Sequence, residues 1–173
     1  MFQIALSSQL TIRSAQPNDA PTIFEFICAL AEYENLCAEV TGDVGSLTEH
    51  LFGERPYAEA LIAEWEGKSV GFALFFYRYS TFLTQPGLYL EDLFVLPDYR
   101  SRGIGKALIG QVAQIAVDRD CARLEWAVLD WNESAIGFYQ GLGATVLPDW
   151  RVCRLVGDSL TDFVHRSTER TFM

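Results

Sequence analysis

Apolar and polar positions alternate over Leu10-Thr11-Ile12-Arg13, the pattern of a half-buried strand. Pro17-Asn18-Asp19 then offers helix-start chemistry, and Ile23, Phe24, Ile27, Leu30 and Ala31 follow at helical spacing, predicting a first amphipathic helix. Residues 36–44 mix charge with glycine, after which Leu47, Leu51 and Phe52 predict a second, short helix closed by Gly53. Residues 58–65 and 69–79 are apolar, β-branched or aromatic runs split by Glu66-Gly67-Lys68, a hairpin signal. Gln85-Pro86-Gly87 reads as a turn leading into a strand over 88–96. Next, Arg100-Ser101-Arg102-Gly103-Ile104-Gly105 opens a helical pattern over 106–117. Residues 123–129 predict another strand and residues 132–142 a helix ended by Gly143, with closing strands expected at 144–147 and 151–156. From Ser159 onward apolar and polar residues alternate weakly, a pattern open to either an exchanged strand or a frayed end.

This order is a mixed α/β layout, with no repeat, linker or low-complexity segment to divide it. The crossover from the strand at 88–96 through a helix to the strand at 123–129 should make those strands parallel and right-handed. A chain of 173 residues, half of them hydrophobic, suits one domain spanning 1–173 with its core at about 10–156. The net charge of -10 argues against a nucleic-acid partner, which requires a basic footprint, and favours cationic small molecules. Cys28, Cys37, Cys121 and Cys153 form no C-x-x-C pair, and no histidine stands near one at metal-ligand spacing; reduced, mostly buried thiols are the expectation, with no metal. No basic leader occupies residues 1–10 and no window holds eighteen uninterrupted apolar residues, so a cytoplasmic protein without a membrane partner fits best.

The glycine-rich segment after the strand at 88–96 has the physics of an anion cradle. The first N–H groups of a helix lack internal partners, the helix dipole adds positive charge there, and glycines let a ligand approach the backbone. A dinucleotide fingerprint is excluded because Leu108 stands where G-x-G-x-x-G needs its third glycine, and no Walker pattern occurs. Arg100, Arg102 and Lys106 supply a local basic patch for a polyanion in an acidic chain, although the same cations would also serve as a solvated surface.

The R-x-x-G-x-G pattern, joined to Asn132-Glu133-Ser134-Ala135-Ile136-Gly137-Phe138-Tyr139 some thirty residues on, resembles the acetyl-CoA-binding core of the GCN5-related N-acetyltransferases (GNAT). Leu88-Tyr89-Leu90-Glu91-Asp92-Leu93-Phe94-Val95, Tyr99-Arg100, and Val128-Leu129-Asp130-Trp131-Asn132 narrow the resemblance to the diamine (spermidine/spermine) and thialysine N-acetyltransferase branch. Ala31-Glu32-Tyr33-Glu34 and Trp150-Arg151 agree near the two ends. The fold this implies is a mixed central sheet flanked by helices, with a splayed parallel strand pair whose gap takes the pantetheine arm.

The same resemblance assigns roles. Acetyl-CoA is the implied co-substrate, its pyrophosphate meeting Arg100, Ser101, Arg102, Gly103, Ile104, Gly105 and Lys106, with Asn132, Ser134 and Ala135 facing it further along. Asn132 is equally suited to a helix N-cap. Backbone groups of Leu93, Phe94 and Val95 would align the thioester and polarise its carbonyl. Tyr139 takes the place of the general acid, and a phenol of ordinary pKa about 10 is protonated at neutral pH without tuning; a core tyrosine beside Phe138 is the plainer reading. The acceptor amine arrives protonated, and Glu91 is the candidate base, direct or through water. Regular strand alternation would put Glu91 and Asp92 on opposite faces; a charge at a bulge or sheet edge is the alternative for this pair. Tyr33, Glu34, Glu91, Asp92 and Trp150 are the implied acceptor contacts, with a solvated helix end the plain reading of Tyr33 and Glu34.

Tyr79-Ser80-Thr81-Phe82 departs from the Tyr-Asp-Pro-Trp of the polyamine enzymes, which puts spermidine or spermine in doubt and leans toward the thialysine type. The expected function is acetyl transfer from acetyl-CoA to a primary amine of a small molecule, either a thialysine- or lysine-like amino acid or a diamine, in a ternary complex. Two rivals remain open: transfer to a protein lysine or N-terminus, and a non-catalytic acetyl-CoA sensor, against which both Glu91 and Tyr139 count. Homodimerisation is implied by the resemblance. His50 and His165 lack partners at readable spacing, and Trp65, Trp126 and the aromatic run 72–79 read as core, with Arg78 its lone base.

Overall fold

In the computed structural model, which describes residues 3–5 and 8–169, six strands line up in sequence order in a single sheet. They are β1 (Gln3–Ala5), β2 (Leu10–Ser14), β3 (Glu59–Trp65), β4 (Lys68–Ser80), β5 (Gln85–Val95) and β6 (Leu124–Glu125). The first five run antiparallel to their neighbours, and β5 pairs with β6 in parallel. Helices α1 (Ala20–Glu34), α2 (Val44–Phe52) and α3 (Ile104–Asp118) complete the first compact unit, Met1–Ala127; α4 (Glu133–Gly141) and α5 (Asp158–Glu169) belong to a second, Val128–Met173. The fold is a mixed sheet flanked by helices, as the sequence pattern predicts.

Period-two alternation in the strands divides the apolar side chains of the first unit between two layers. Ala60, Ile62, Phe72, Leu74 and Phe94 pack with Ile23 and Phe26 of α1 and Leu51 of α2 in one core. Leu61, Ala63, Ala73, Phe75, Leu88 and Leu90, also buried, point the other way, toward the face that α3 covers with Leu108, Ile109, Val112 and Ile115. Asp43 caps α2 by accepting from Ser46 N, and Asp19 braces the entry to α1 by accepting from both Nη atoms of Arg13 while Arg13 Nε donates to Glu64. Those bonds hold the Asp19 carboxyl below the usual carboxylate range.

The β3–β4 hairpin forms where Glu66-Gly67 signals it, both residues taking positive φ (51° and 80°) as a two-residue hairpin loop requires. Five other expectations need correction. Gln85-Pro86-Gly87 does not turn but begins β5, and the reversal falls at residues 81–84, where Thr84 takes φ 54°. The strand expected at 123–129 is confined to Leu124–Glu125. Residues 144–147 and 151–156 form no strand; their apolar side chains, among them Val146, Val152 and Leu155, are exposed and pair with nothing as strands. The tail is helical over Asp158–Glu169, with Leu160, Phe163 and Val164 at helical spacing, and residues 170–173 lie outside the described residues. The thiols are also not mostly buried, since Cys28, Cys37 and Cys153 are exposed and Cys121 is intermediate.

Candidate active site

Pairing between β5 and β6 covers only Leu88↔Leu124 and Tyr89↔Glu125, with Leu88 N donating to Arg123 O just before it. Beyond Tyr89, β5 keeps β4 on one side and has no strand partner on the other among the described residues. An unpaired edge presents outward-facing N–H and C=O groups, here over the stretch that contains Leu93, Phe94 and Val95. Gly71 fixes that stretch against β4: a Cβ there would lie 2.5 Å from Phe94 O.

The opening coincides with a β-bulge. Leu74 pairs with Asp92 and Phe75 with Leu90, so Glu91 is the extra residue without a partner. Strict alternation therefore does not run through Glu91 and Asp92, and the opposite-face expectation fails at this point. Glu91 is exposed and Asp92 partly buried, on a strand where two adjacent charges had interrupted the apolar pattern. Burial, then the neighbouring charges of Glu91 and Glu34, push the Asp92 carboxyl up to about 6. Glu34, in the last turn of α1, is raised by its own burial. Three carboxylates thus collect where α1 ends over the bulge, and the reading of Glu34 as solvated helix surface gives way to this partly buried grouping.

Tyr33 lies beside Glu34, and α1 stops immediately after them at Asn35, whose φ of 58° is left-handed. The Arg100 guanidinium stands 4.7 Å from the centre of the Tyr33 ring and 5.8 Å from that of Phe94, and its Nε donates to Val95 O at 3.0 Å. Arg102 lies over Trp65 and Tyr99, each at 5.3 Å, and donates from Nη2 to Asp98 O. Two of the three expected phosphate cations are therefore also structural, with donors of their planar forks remaining beyond these single bonds; Lys106 is exposed.

Between these cations the backbone is shaped for an anion. Ser101 and Gly103 take φ of 60° and 80°, and Gly103 stands at the N-cap of α3 with nothing within 4 Å of a would-be Cβ. The Ala107 N–H is bonded to Gly103 O, leaving the N–H groups of Ile104, Gly105 and Lys106 in the first turn, where a helix offers no internal acceptor. Left-handed residues interspersed among right-handed ones gather N–H groups into a concave nest. Ile104 itself is buried, so what it can offer a phosphate is its N–H.

In the second unit, Asn132 caps α4, its side-chain oxygen accepting from Ala135 N at 3.1 Å. The N-cap reading is realised, and the Asn132 carbonyl is engaged there. Ser134 is exposed, Ala135 and Tyr139 are partly exposed, and the Tyr139 and Phe138 rings lie 5.2 Å apart. Trp150 is exposed. Phe82, in the segment that departs from the polyamine enzymes, is 96% exposed, while Ser80 is buried and accepts from Leu83 N.

Sequence reasoning passed over a group on the other side of the bulge. Burial first, then the Glu91 and Glu125 charges, raise the Tyr89 phenol against the opposing influence of Arg78, whose guanidinium lies 5.4 Å from the ring centre. Arg78 Nη1 is 3.7 Å from Glu125 Oε2 and Arg123 Nε is 2.8 Å from the same atom. The signal available was Arg78, a single base inside an aromatic run.

A mixed sheet whose β5 edge opens at a bulge, with an anion nest at the next helix start, is a site suited to a phosphate-bearing acyl carrier. The chain belongs to the acetyltransferase (GNAT) family, whose model matches residues 27–144, and it is an N-acetyltransferase; acetyl-CoA is the co-substrate of that family. Among its relatives, the thialysine N-epsilon-acetyltransferase of Sus scrofa is 37% identical over 166 residues, spanning 90% of this chain and 97% of that protein. An L-ornithine N5-acetyltransferase of Arabidopsis thaliana is 32% identical over 194 residues, spanning 86% of this chain and 85% of the other. The fold also matches an integron cassette protein from V. cholerae with a TM-score of 0.75 at 24% identity, over 91% of this chain and 99% of that one. Among the described residues, no helix is long and apolar enough to cross a membrane, and no group of three His, Cys, Asp or Glu side chains is placed to hold a metal ion.

Proposed function

We propose that this enzyme transfers the acetyl group of acetyl-CoA directly to a primary amine of a small molecule, either a lysine- or thialysine-like amino acid or a diamine. The observation that carries the reading is the gathering of Glu34, Glu91 and Asp92 at the bulge where β5 loses its strand partner. An ammonium group is drawn to those carboxylates, and a carboxylate held beside it can take its proton as the nitrogen attacks. The relatives named for thialysine and ornithine support an acceptor of this size.

In this reading the N–H nest of Gly103, Ile104, Gly105 and Lys106, flanked by Arg100, Ser101 and Arg102, holds the pyrophosphate. The β5 edge at Leu93, Phe94 and Val95 aligns the thioester. Glu91, directly or through water, accepts the proton as the amine nitrogen bonds to the carbonyl carbon, while Asp92, Glu34 and Tyr33 hold the acceptor. The carbon–sulfur bond then breaks, and the departing thiolate takes its proton from the Tyr139 hydroxyl. Ser134 and Ala135 serve the coenzyme and Trp150 the acceptor, roles that rest on the family resemblance, as do a homodimer and a cytoplasmic location. No resident metal is needed for any of these steps.

Initial-velocity measurements with both substrates varied test direct transfer. Intersecting double-reciprocal lines, with no coenzyme A released before the amine is added, are expected; parallel lines and an acetylated enzyme would refute it.

A further inference from the structure

Tyr89 separates two groups of opposite charge on the first unit. On one side stand Glu34, Glu91 and Asp92; on the other, Arg78 and Arg123 share the single carboxylate of Glu125, which leaves that end net positive. Register places Asp92, Tyr89, Arg78 and Glu125 on one face. Phe76 pairs with Tyr89, and Tyr89 with Glu125, so these three form a cross-strand row. Arg78, two residues on from Phe76 in β4, returns to the same face and lies over the Tyr89 ring. Asp92 pairs with Leu74, two residues before Phe76, on the same side of β4 across the bulge. Three residues of strand separate Tyr89 from Asp92, about 10 Å.

The two arginines are not equivalent. Arg123 Nε approaches Glu125 Oε2 at 2.8 Å, whereas Arg78 Nη1 stays at 3.7 Å, beyond hydrogen-bond distance, with its side chain 51% exposed. Glu125 Oε2 is itself buried, and the close approach of Arg123 Nε lacks hydrogen-bond alignment, so both arginines hold this oxygen as ion pairs alone. Arg78 is thus placed by a ring and a loose ion pair while half of its side chain stays exposed, which leaves donors of its planar fork for a bidentate carboxylate.

We infer that Arg78 is the specificity-determining residue that receives the α-carboxylate of a basic amino-acid acceptor, whose side-chain amine reaches the Glu34–Glu91–Asp92 group across Tyr89. This inference rests on the small-amine reading above and decides between its two substrate classes. A diamine has no carboxylate for the guanidinium and brings a second ammonium to a net-positive end, so the same residue rejects it. The chain's net charge of -10 makes a net-positive end beside the acidic group a local exception rather than a general property of the surface.

The test compares kcat/KM for L-lysine, lysinamide and 1,5-diaminopentane in the wild-type enzyme, Arg78→Gln and Arg78→Lys. Losing a charge-assisted bidentate contact should lower kcat/KM for lysine by about 10- to 100-fold, mostly through KM. Turnover of the diamine should rise, which also reports that the variant is folded, and Arg78→Lys should recover part of the lysine activity. Equal loss on all three amines, no loss on lysine, or a wild-type enzyme that treats lysinamide as well as lysine would overturn the inference. Wild-type preference for the diamine would overturn it while leaving the small-amine reading intact; turnover of none of these amines would remove both.

Discussion

The guanidinium of Arg100 lies 4.7 Å from the centre of the Tyr33 ring while its Nε donates to Val95 O, so one side chain ties the end of α1 to the end of β5. Tyr33 was legible only as an acceptor contact or a solvated helix end, yet it also supports the segment leading to the anion nest. Removing the ring in Tyr33→Ala should raise KM for acetyl-CoA about 2- to 10-fold, the range of a partly exposed cation–π contact. Tyr33→Phe, which keeps the ring, should stay within about 2-fold of wild type on that parameter. Coenzyme titration of both variants checks this, and equal effects of the two would assign the loss to the hydroxyl instead.

Asp92 makes stability and activity oppose each other. The folded protein keeps the Asp92 proton up to about pH 6, whereas the unfolded chain releases it near the ordinary value of 3.8. The native state therefore binds more protons across that window, and stability falls as pH rises from about 4 to 6, by at most about 3 kcal/mol. Asp92→Asn should accordingly melt higher than wild type at pH 7.5 and alike near pH 4, while losing at least about 10-fold in kcat/KM for the amine. Paired thermal melts and pH–rate profiles read both effects.

Gly71 is needed for close approach rather than for its backbone angles. A methyl group at this position would meet Phe94 O at 2.5 Å, and that oxygen cannot swing aside as a side chain could. Gly71→Ala should destabilise the fold by about 1–3 kcal/mol, as overpacking does, and raise KM for acetyl-CoA because the shifted backbone is the edge of β5. Urea unfolding with unchanged m-value, alongside coenzyme titration, is the check.

Tyr139→Phe should lower kcat by about 10²- to 10⁴-fold, the usual contribution of a positioned acid, with KM for acetyl-CoA little altered. Loss of the high-pH limb of the kcat profile in the variant would identify the phenol as its source. A variant with wild-type kcat would return Tyr139 to the plainer role of packing beside Phe138.

Local signals with a physical cause carried most of the fold. Glu66-Gly67 supplies the positive φ that its hairpin demands, Asn132 sits where a helix needs a cap, and Gly103 opens α3. The site was legible as a set of residues because Glu91-Asp92 and the glycine-rich turn interrupt apolar runs. A bulge was one of the readings of that acidic pair, but its position at Glu91 exists only in the register of β5 against β4. Strands at 144–147 and 151–156 were misread because period-two patterning needs a partner strand to become structure, and Val152, 80% exposed, has none. Arg78 and Glu125 were overlooked because residues distant in sequence meet only across the sheet.

Coenzyme A release from acetyl-CoA, followed in the presence and absence of thialysine, lysine, short diamines, spermidine and a lysine-containing peptide, tests the central claim most directly. The expected result is release that depends on thialysine, lysine or a short diamine and that exceeds release with the peptide. Coenzyme binding without amine-dependent release, or turnover confined to the peptide, would contradict it.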